Sequence, residues 1–270
     1  MQFVDLDLVS RIEQFTAAIG RDCAVAAHRA HPEREITHAE LGGGIAVFTG
    51  VDSPLTQAIG VGLSGPVSAA ELDRLEDFFS SRGASVALEL APYIDASLIA
   101  LLKQRPYSIE EFTSVLIRDI SDFSPAPDAP DILVRAAHIP EEKEVFTRTV
   151  SEGYAEFIPV TQDLLDVVGG FAEVEGTLAA LAFLDGETVG GGSANHSGEF
   201  GHLAGASTLP HYRKRGVQTA LLNFRLDWLK HKGCRYGMVM TQPGSGSQRN
   251  FERAGFRPIY TRTKVVRVRE

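Results

Sequence analysis

The stretch that most limits how this chain can fold runs Ser207-Thr208-Leu209-Pro210-His211-Tyr212-Arg213-Lys214-Arg215-Gly216-Val217-Gln218-Thr219-Ala220. An apolar strand leads in, Pro210 ends it, three cations follow, and Gly216 opens a helix. Val217, Leu221, Phe224 and Trp228 recur in that helix at spacings of three and four, the mark of one buried face. The first turn of a helix leaves backbone N–H groups without partners, at the positive end of the helix dipole. Gly216 lets the backbone approach a phosphate with no Cβ in the way. The turn is therefore a candidate anion site. The plainer alternative is an ordinary strand-to-helix turn with solvated cations.

The rest of the composition narrows the partners. The 270 residues carry a formal net charge of −9, which argues against a nucleic-acid binder. Arg213, Lys214 and Arg215 form a local basic patch in an otherwise acidic chain. The two cysteines, Cys23 and Cys234, lie far apart in apolar settings and read as buried reduced thiols. No apolar run is long enough to span a bilayer, and the N-terminal residues lack the basic and apolar regions of a signal peptide. The expectation is a cytoplasmic protein without membrane or nucleic-acid partners, as a monomer or homodimer. His28, His31 and His38 have no Cys or acidic pair to complete a metal set, so no metal is expected.

In order, the spacing predicts a helix over 6–19 stopped by Gly20, strands near 46–49 and 57–63, and a helix from Ser68 to Arg82. Ser68 and Glu71 form a capping-box pattern. A strand at 85–90, a short helix capped by Asp95 and a strand at 112–120 follow. Pro125, Pro127 and Pro130 then favour an extended connection, the best domain boundary. Beyond it come a strand at 132–135, helices near 141–152 and 161–170, and a hairpin of 178–184 with 188–195. The strand 200–209 feeds the opening stretch, with its helix at 216–232. A strand at 236–241, a short helix at 247–254 and a strand at 258–268 finish the chain. Both halves end on helix, strand, short helix, strand at an offset of about 150 residues, which points to two copies of one fold.

The segment Thr208 to Leu222 resembles the acyl-CoA-binding motif of the GCN5-related N-acetyltransferase (GNAT) superfamily, Arg/Gln-x-x-Gly-x-Gly/Ala between a strand and a helix. Arg213 and Gly216 match, whereas Gln218 departs from the small residue. Asn250-Phe251-Glu252-Arg253-Ala254-Gly255-Phe256 resembles a second family motif, a short helix ending in Gly-Phe. The resemblance implies an α/β (α+β) fold of tandem GNAT-like domains, each a mixed, mostly antiparallel sheet flanked by helices. The expected division is 1–123, a proline-rich linker at 124–130, and 131–270. The first copy is expected to be degenerate and without cofactor. No Arg or Lys precedes its helix from Val51 on, Glu71 and Asp73 fill the helix's first turn, and the capping box already satisfies the helix start.

The resemblance also implies the chemistry. Acetyl-CoA would be the co-substrate, its pantetheine arm on Ala206, Ser207, Thr208 and Leu209. Its pyrophosphate would lie on Arg215, Gly216, Val217, Gln218 and Thr219, with Arg213 at the rim and Asn250 and Phe251 on the other side. An amine of a small molecule or peptide would attack the thioester directly. By strand position His202 is the candidate base, with Glu199 as the alternative and His196 as a weaker one. Period-two counting puts His202 on one face with Ala204, Ala206 and Thr208. Phe251 stands where the family carries a tyrosine acid, and nothing in the sequence places Tyr212 or Tyr260 near the sulfur. The leading function is an N-acetyltransferase and the alternative a non-catalytic acyl-CoA-binding or sensor protein, with a purely structural pair of domains, the basic turn unoccupied, as the weaker third.

Overall fold

The computed structural model describes residues 4–125, 131–156 and 159–268, so 126–130 of the proline-rich linker lies outside the described residues. The chain forms two compact units. The first is Met1–Ile117 with Met240–Glu270, and the second is Arg118–Val239. The expected division at 124–130 gives 240–270 to the second half. By compactness this stretch groups with the first.

The first unit begins with α1 (Leu6–Ala30), capped by Asp5, whose carboxylate accepts from Leu8 N. Gly20 does not end α1. The helix runs on through it, a Cβ there would meet Val47 Cγ2 only in ordinary contact at 3.4 Å, and Cys23 and Ala24 continue the buried face. Strands β1 (Thr37–Leu41), β2 (Gly44–Phe48) and β3 (Gln57–Ile59) make an antiparallel meander. Helix α2 (Ala69–Ser80) carries the expected capping box and crosses to β4 (Ala87–Leu90), parallel to β3. Then come α3 (Ala96–Leu102) and β5 (Tyr107–Asp119). From the C-terminal stretch come α7 (Gly246–Arg253) and β11 (Arg257–Arg267), which lies between β4 and β5, antiparallel to both. Leu72, Leu75, Phe79, Leu88 and Leu98 are fully buried in the core of this unit.

A buried polar junction ties the ends of the first unit together. Arg262 Nε donates to Glu13 Oε1 at 2.7 Å, Tyr260 donates its hydroxyl to the same oxygen, and Arg262 Nη2 donates to Thr16 Oγ1 at 2.9 Å. Glu13 and Arg262 are shut from solvent, so each charge depends on the other.

The second unit shares the run from antiparallel strands through a crossover helix to a parallel strand. Strand β6 (Ile132–Ala136) precedes α4 (Pro140–Tyr154) and α5 (Gln162–Glu173). Strands β7 (Leu178–Leu184), β8 (Glu187–Ser197) and β9 (Phe200–Thr208) continue the antiparallel order β6-β7-β8-β9. Helix α6 (Val217–His231) then crosses to β10 (Tyr236–Thr241), parallel to β9. Helices α4 and α5 cover one face of this sheet through Phe146, Val150 and Val168, and α6 covers the other through Val217, Leu221 and Leu229. Helices α3 and α7 start at Ala96 and Gly246, and β5 and β11 at Tyr107 and Arg257, which keeps the offset read from the sequence. Burial pushes the Cys23 thiol up to about 12 and Cys234 to about 11, as inert core thiols require. No described helix is long and apolar enough to cross a membrane.

Breaking the buried junction leaves an unpaired charge inside. Arg262→Met is expected to lower unfolding stability by about 3–5 kcal/mol in urea denaturation, with the m-value unchanged.

Candidate functional site

Strand β9 changes partners along its length. It pairs with β10 at Phe200–Tyr236, Gly201–Gly237 and His202–Met238, and no further pair joins them among the described residues. On its other edge Ser193 of β8 faces Ala204, but Gly191 faces Ser207. One residue of β8, Gly192, thus opposes two of β9, Gly205 and Ala206. This is a bulge, with Gly205 at φ 47°.

The bulge alters the face assignment made by simple alternation. A Cβ on Gly201 would meet Leu229 of α6, so His202 turns to the opposite, α4-covered face, with Ala204. Beyond the bulge it is Ser207 that returns to that face, not Ala206 or Thr208. Its hydroxyl donates to Val150 O at 2.8 Å. His202 is buried and stands directly across from Asn195 of β8. Asn195 is also buried, and neither polar atom of its carboxamide has a partner among the described residues.

The end of α4 lies on the end of β9. Gly153 permits this approach, because a Cβ there would stand 2.1 Å from Ser207 Oγ and 2.6 Å from Ser207 Cβ. Tyr154 donates its hydroxyl to Ala206 O at 2.8 Å. Arg213 closes the arrangement. Its Nε donates to Thr208 O at 3.2 Å, its Nη2 to Gly153 O at 2.9 Å, and its Nη1 to the Glu156 carboxylate. The Arg213 guanidinium therefore turns back onto α4 and is not at the rim of the turn, where the motif placed it. A helix C-terminus offers carbonyls and negative dipole charge, which attract a guanidinium.

The rim belongs to Lys214 and Arg215, both exposed. Lys214 and Gly216 adopt φ of 63° and 89°, which folds the turn back so that α6 starts at Val217. Gly216 is the N-cap, no side chain caps the helix, and its first turn has no acidic residue. Val217 is buried, whereas Gln218 and Thr219 are exposed, so the Gln218 side chain does not fill the turn. Arg215 lies 3.7 Å from Asp185 and over the Tyr212 ring. The corresponding start of α2 differs in every respect. Ser68 and Glu71 close its first turn, Asp95 N donates to Gly62 O, and Ser97 Oγ accepts from Val67 N, both at 2.8 Å.

Beneath the bulge sits Arg225 of α6, 1% exposed. Its guanidinium occupies the space a Cβ on Gly192 would need and donates to Leu221 O, Ser193 O and Ala204 O. Burial brings its pKa down to about 10, so the charge persists at neutral pH.

The other candidates are placed as follows. Leu209 N donates to Val189 O at the end of β9. Glu199 is half-buried in the turn before β9, its carbonyl accepting from Arg235 N and Tyr236 N. His196 faces α6, edge-on to Trp228 at 5.3 Å, and burial lowers its pKa, with Lys232 adding to the shift. Asn250 is exposed on α7, and Phe251 is buried there against Phe256, both in the first unit. Tyr260 is committed to Glu13, and Tyr212 to Glu187. Tyr154, Asn195 and Arg225 carried no sequence signal, since only the strand register and the bulge bring them to β9. Among the described residues no group of three or more His, Cys, Asp or Glu could hold a metal ion.

Residues 145–256 match the model of the acetyltransferase (GNAT) family. The matched segment begins in α4 and ends at the start of β11. Across its length the chain has the GNAT fold. A GCN5-related N-acetyltransferase from Kribbella flavida aligns over 92% of this chain and 96% of its own, with TM-score 0.66 and 16% identity. A tandem GNAT protein from the clavulanic acid biosynthesis pathway aligns over 84% and 78%, with TM-score 0.60 and 12% identity. A GCN5-related N-acetyltransferase from Sphaerobacter thermophilus aligns over 68% and 59%, with TM-score 0.53 and 19% identity. No curated protein matches the sequence significantly.

Gly153→Ala is expected to lift α4 from β9 and to cost about 1–3 kcal/mol, the usual range for overpacking. Thermal unfolding would read this as a lower Tm, while Gly170→Ala, where a Cβ meets nothing within 4 Å, serves as the control.

Proposed function

We propose that this protein is an acyl-CoA-dependent N-acyltransferase that moves an acetyl group from acetyl-CoA directly to an amine of a small molecule or peptide. Its site lies in the second unit. One observation carries the reading. Gly216 starts α6 in a left-handed conformation, without a capping side chain or an acidic first turn, right after a strand whose outer edge has parted from β10. The N–H groups of Val217, Gln218 and Thr219 fit a pyrophosphate, with Arg215 adding charge. Ala206 to Leu209 fit the pantetheine arm as an added strand does. The carbonyls of Ala206 and Thr208 already accept one bond each from Tyr154 and Arg213, and each keeps a second lone pair.

His202 would take the proton from the attacking amine, with Glu199 as the alternative base at the start of the strand. The site's α4-covered face, with His202 and Asn195, would receive the acceptor. For α7, the resemblance alone supports a role for Asn250 and Phe251 in coenzyme binding. The first unit is best read as a GNAT-like copy without cofactor, because its helix start is capped by its own residues. The competing function, an acyl-CoA-binding or sensor protein, draws support from Phe251, which has no proton to give.

Coenzyme A is expected to raise the Tm of the protein, and Gly216→Val to abolish that shift, since a β-branched residue is strained at φ 89° and would distort the turn that opens α6. With acetyl-CoA and a panel of primary amines, the enzyme should release free thiol. The double variant His202→Ala, Glu199→Ala should slow release by about 10²-fold or more while keeping the CoA shift. A CoA shift without thiol release would favour the sensor, and no shift would end both readings.

A further inference from the structure

We propose that Tyr154 protonates the departing thiolate, the role that Phe251 cannot fill. The inference rests on the reading of the second unit as an acyltransferase site and adds a catalytic residue to it. With the pyrophosphate at Gly216, the pantetheine arm runs from the Leu209 end of β9 back towards Ala206. Its sulfur end then lies between Ala206 and His202. The Tyr154 hydroxyl is at that end, 2.8 Å from Ala206 O.

Its position is set on three sides. Ser207 Oγ donates to Val150 O, Gly153 lets the two backbones meet, and Arg213 clasps Gly153 O to Thr208 O. Of the two tyrosines considered from the sequence, Tyr212 bonds Glu187 and Tyr260 bonds Glu13.

Burial raises the phenol pKa, offset in part by the Arg225 charge and by the bond to Ala206. The hydroxyl therefore stays protonated through the neutral range. A thiolate released into the same dry surroundings is destabilised as well, which keeps proton transfer between the two feasible. The tyrosinate left behind feels the buried Arg225 cation. In the step, the amine nitrogen forms a bond to the acyl carbon and the C–S bond breaks with its electron pair on sulfur. The phenol O–H proton moves to sulfur, giving the free thiol of coenzyme A. The amine's own proton goes to His202, and the tyrosinate recovers a proton from solvent after the products leave.

The test uses the full chain with Tyr154→Phe, which keeps the ring and removes the hydroxyl. The first readout needs no acceptor. Coenzyme A bound to each protein is titrated by the ultraviolet absorbance of its thiolate. A hydroxyl that turns its single proton from Ala206 O to sulfur when coenzyme A binds stabilises the thiolate, so the bound thiol should titrate about one unit or more lower on the wild type than on the variant. The second readout is thiol release from acetyl-CoA with the amine panel, expected to fall about 10²-fold in the variant with the CoA-induced Tm shift unchanged. Equal thiol titration in the two proteins, or an undiminished rate, overturns the proposal and leaves the acyltransferase reading standing. Loss of CoA binding in Tyr154→Phe also overturns it, because the hydroxyl would then only position α4. Failure of the wild type to bind coenzyme A removes the underlying reading itself.

Discussion

The contact between the end of α4 and the end of β9 is the constraint on which the candidate site depends. Two backbones meet there with no room for a Cβ between Gly153 and Ser207. Once they meet, the local polar groups have defined partners. Ser207 satisfies a helix carbonyl, Tyr154 and Arg213 satisfy strand carbonyls, and Arg213 satisfies another helix carbonyl at Gly153. Each of these groups would be costly to bury unpaired. Through Arg213 the same bonds tie the end of the Pro210 turn to both the strand and α4.

The bulge is the second determinant, and it has its own support. A bulge leaves strand carbonyls without ladder partners. Here Arg225 fills the space left by Gly192 and donates to Ser193 O and Ala204 O. A buried cation with no carboxylate against it among the described residues is unusual, since desolvation opposes the charged form. Several carbonyl dipoles share the load, and a positive potential beside β9 results. Gly192, Gly205 and Arg225 thus act as one device: a missing side chain, a left-handed residue and a long cation that together bend the strand.

The two units show how one plan reaches different ends. Both run an antiparallel meander into a parallel crossover through a helix. In the first, a capping box completes the helix N-terminus, and α3 bonds back to the loop after β3 at Gly62 and Val67. In the second, glycine opens the helix and its first N–H groups meet no capping side chain. The two helix starts differ in a few residues at one turn.

Much of this was legible in the chain of residues alone. Apolar periodicity placed α2, α6 and β7, and Ser68 with Glu71 announced a cap, because these signals depend on neighbours three or four positions away. The turn at Gly216 was legible for the same reason. Gly20 misled: as a helix stop it is a local signal, but α1 runs past it with Cys23, Ala24 and Ala26 buried on its packed face. Alternation placed His202 on a face with Ala206 until the bulge reversed the count. Arg213 belonged to a motif, yet α4, distant in sequence, took its guanidinium. Tyr154, Asn195 and Arg225 had no local mark at all. Sequence by itself determined the elements, the repeated order and the turn that opens α6. Tertiary structure alone decided which side chains share the β9 site, because strand register and helix docking join residues that no short-range pattern connects.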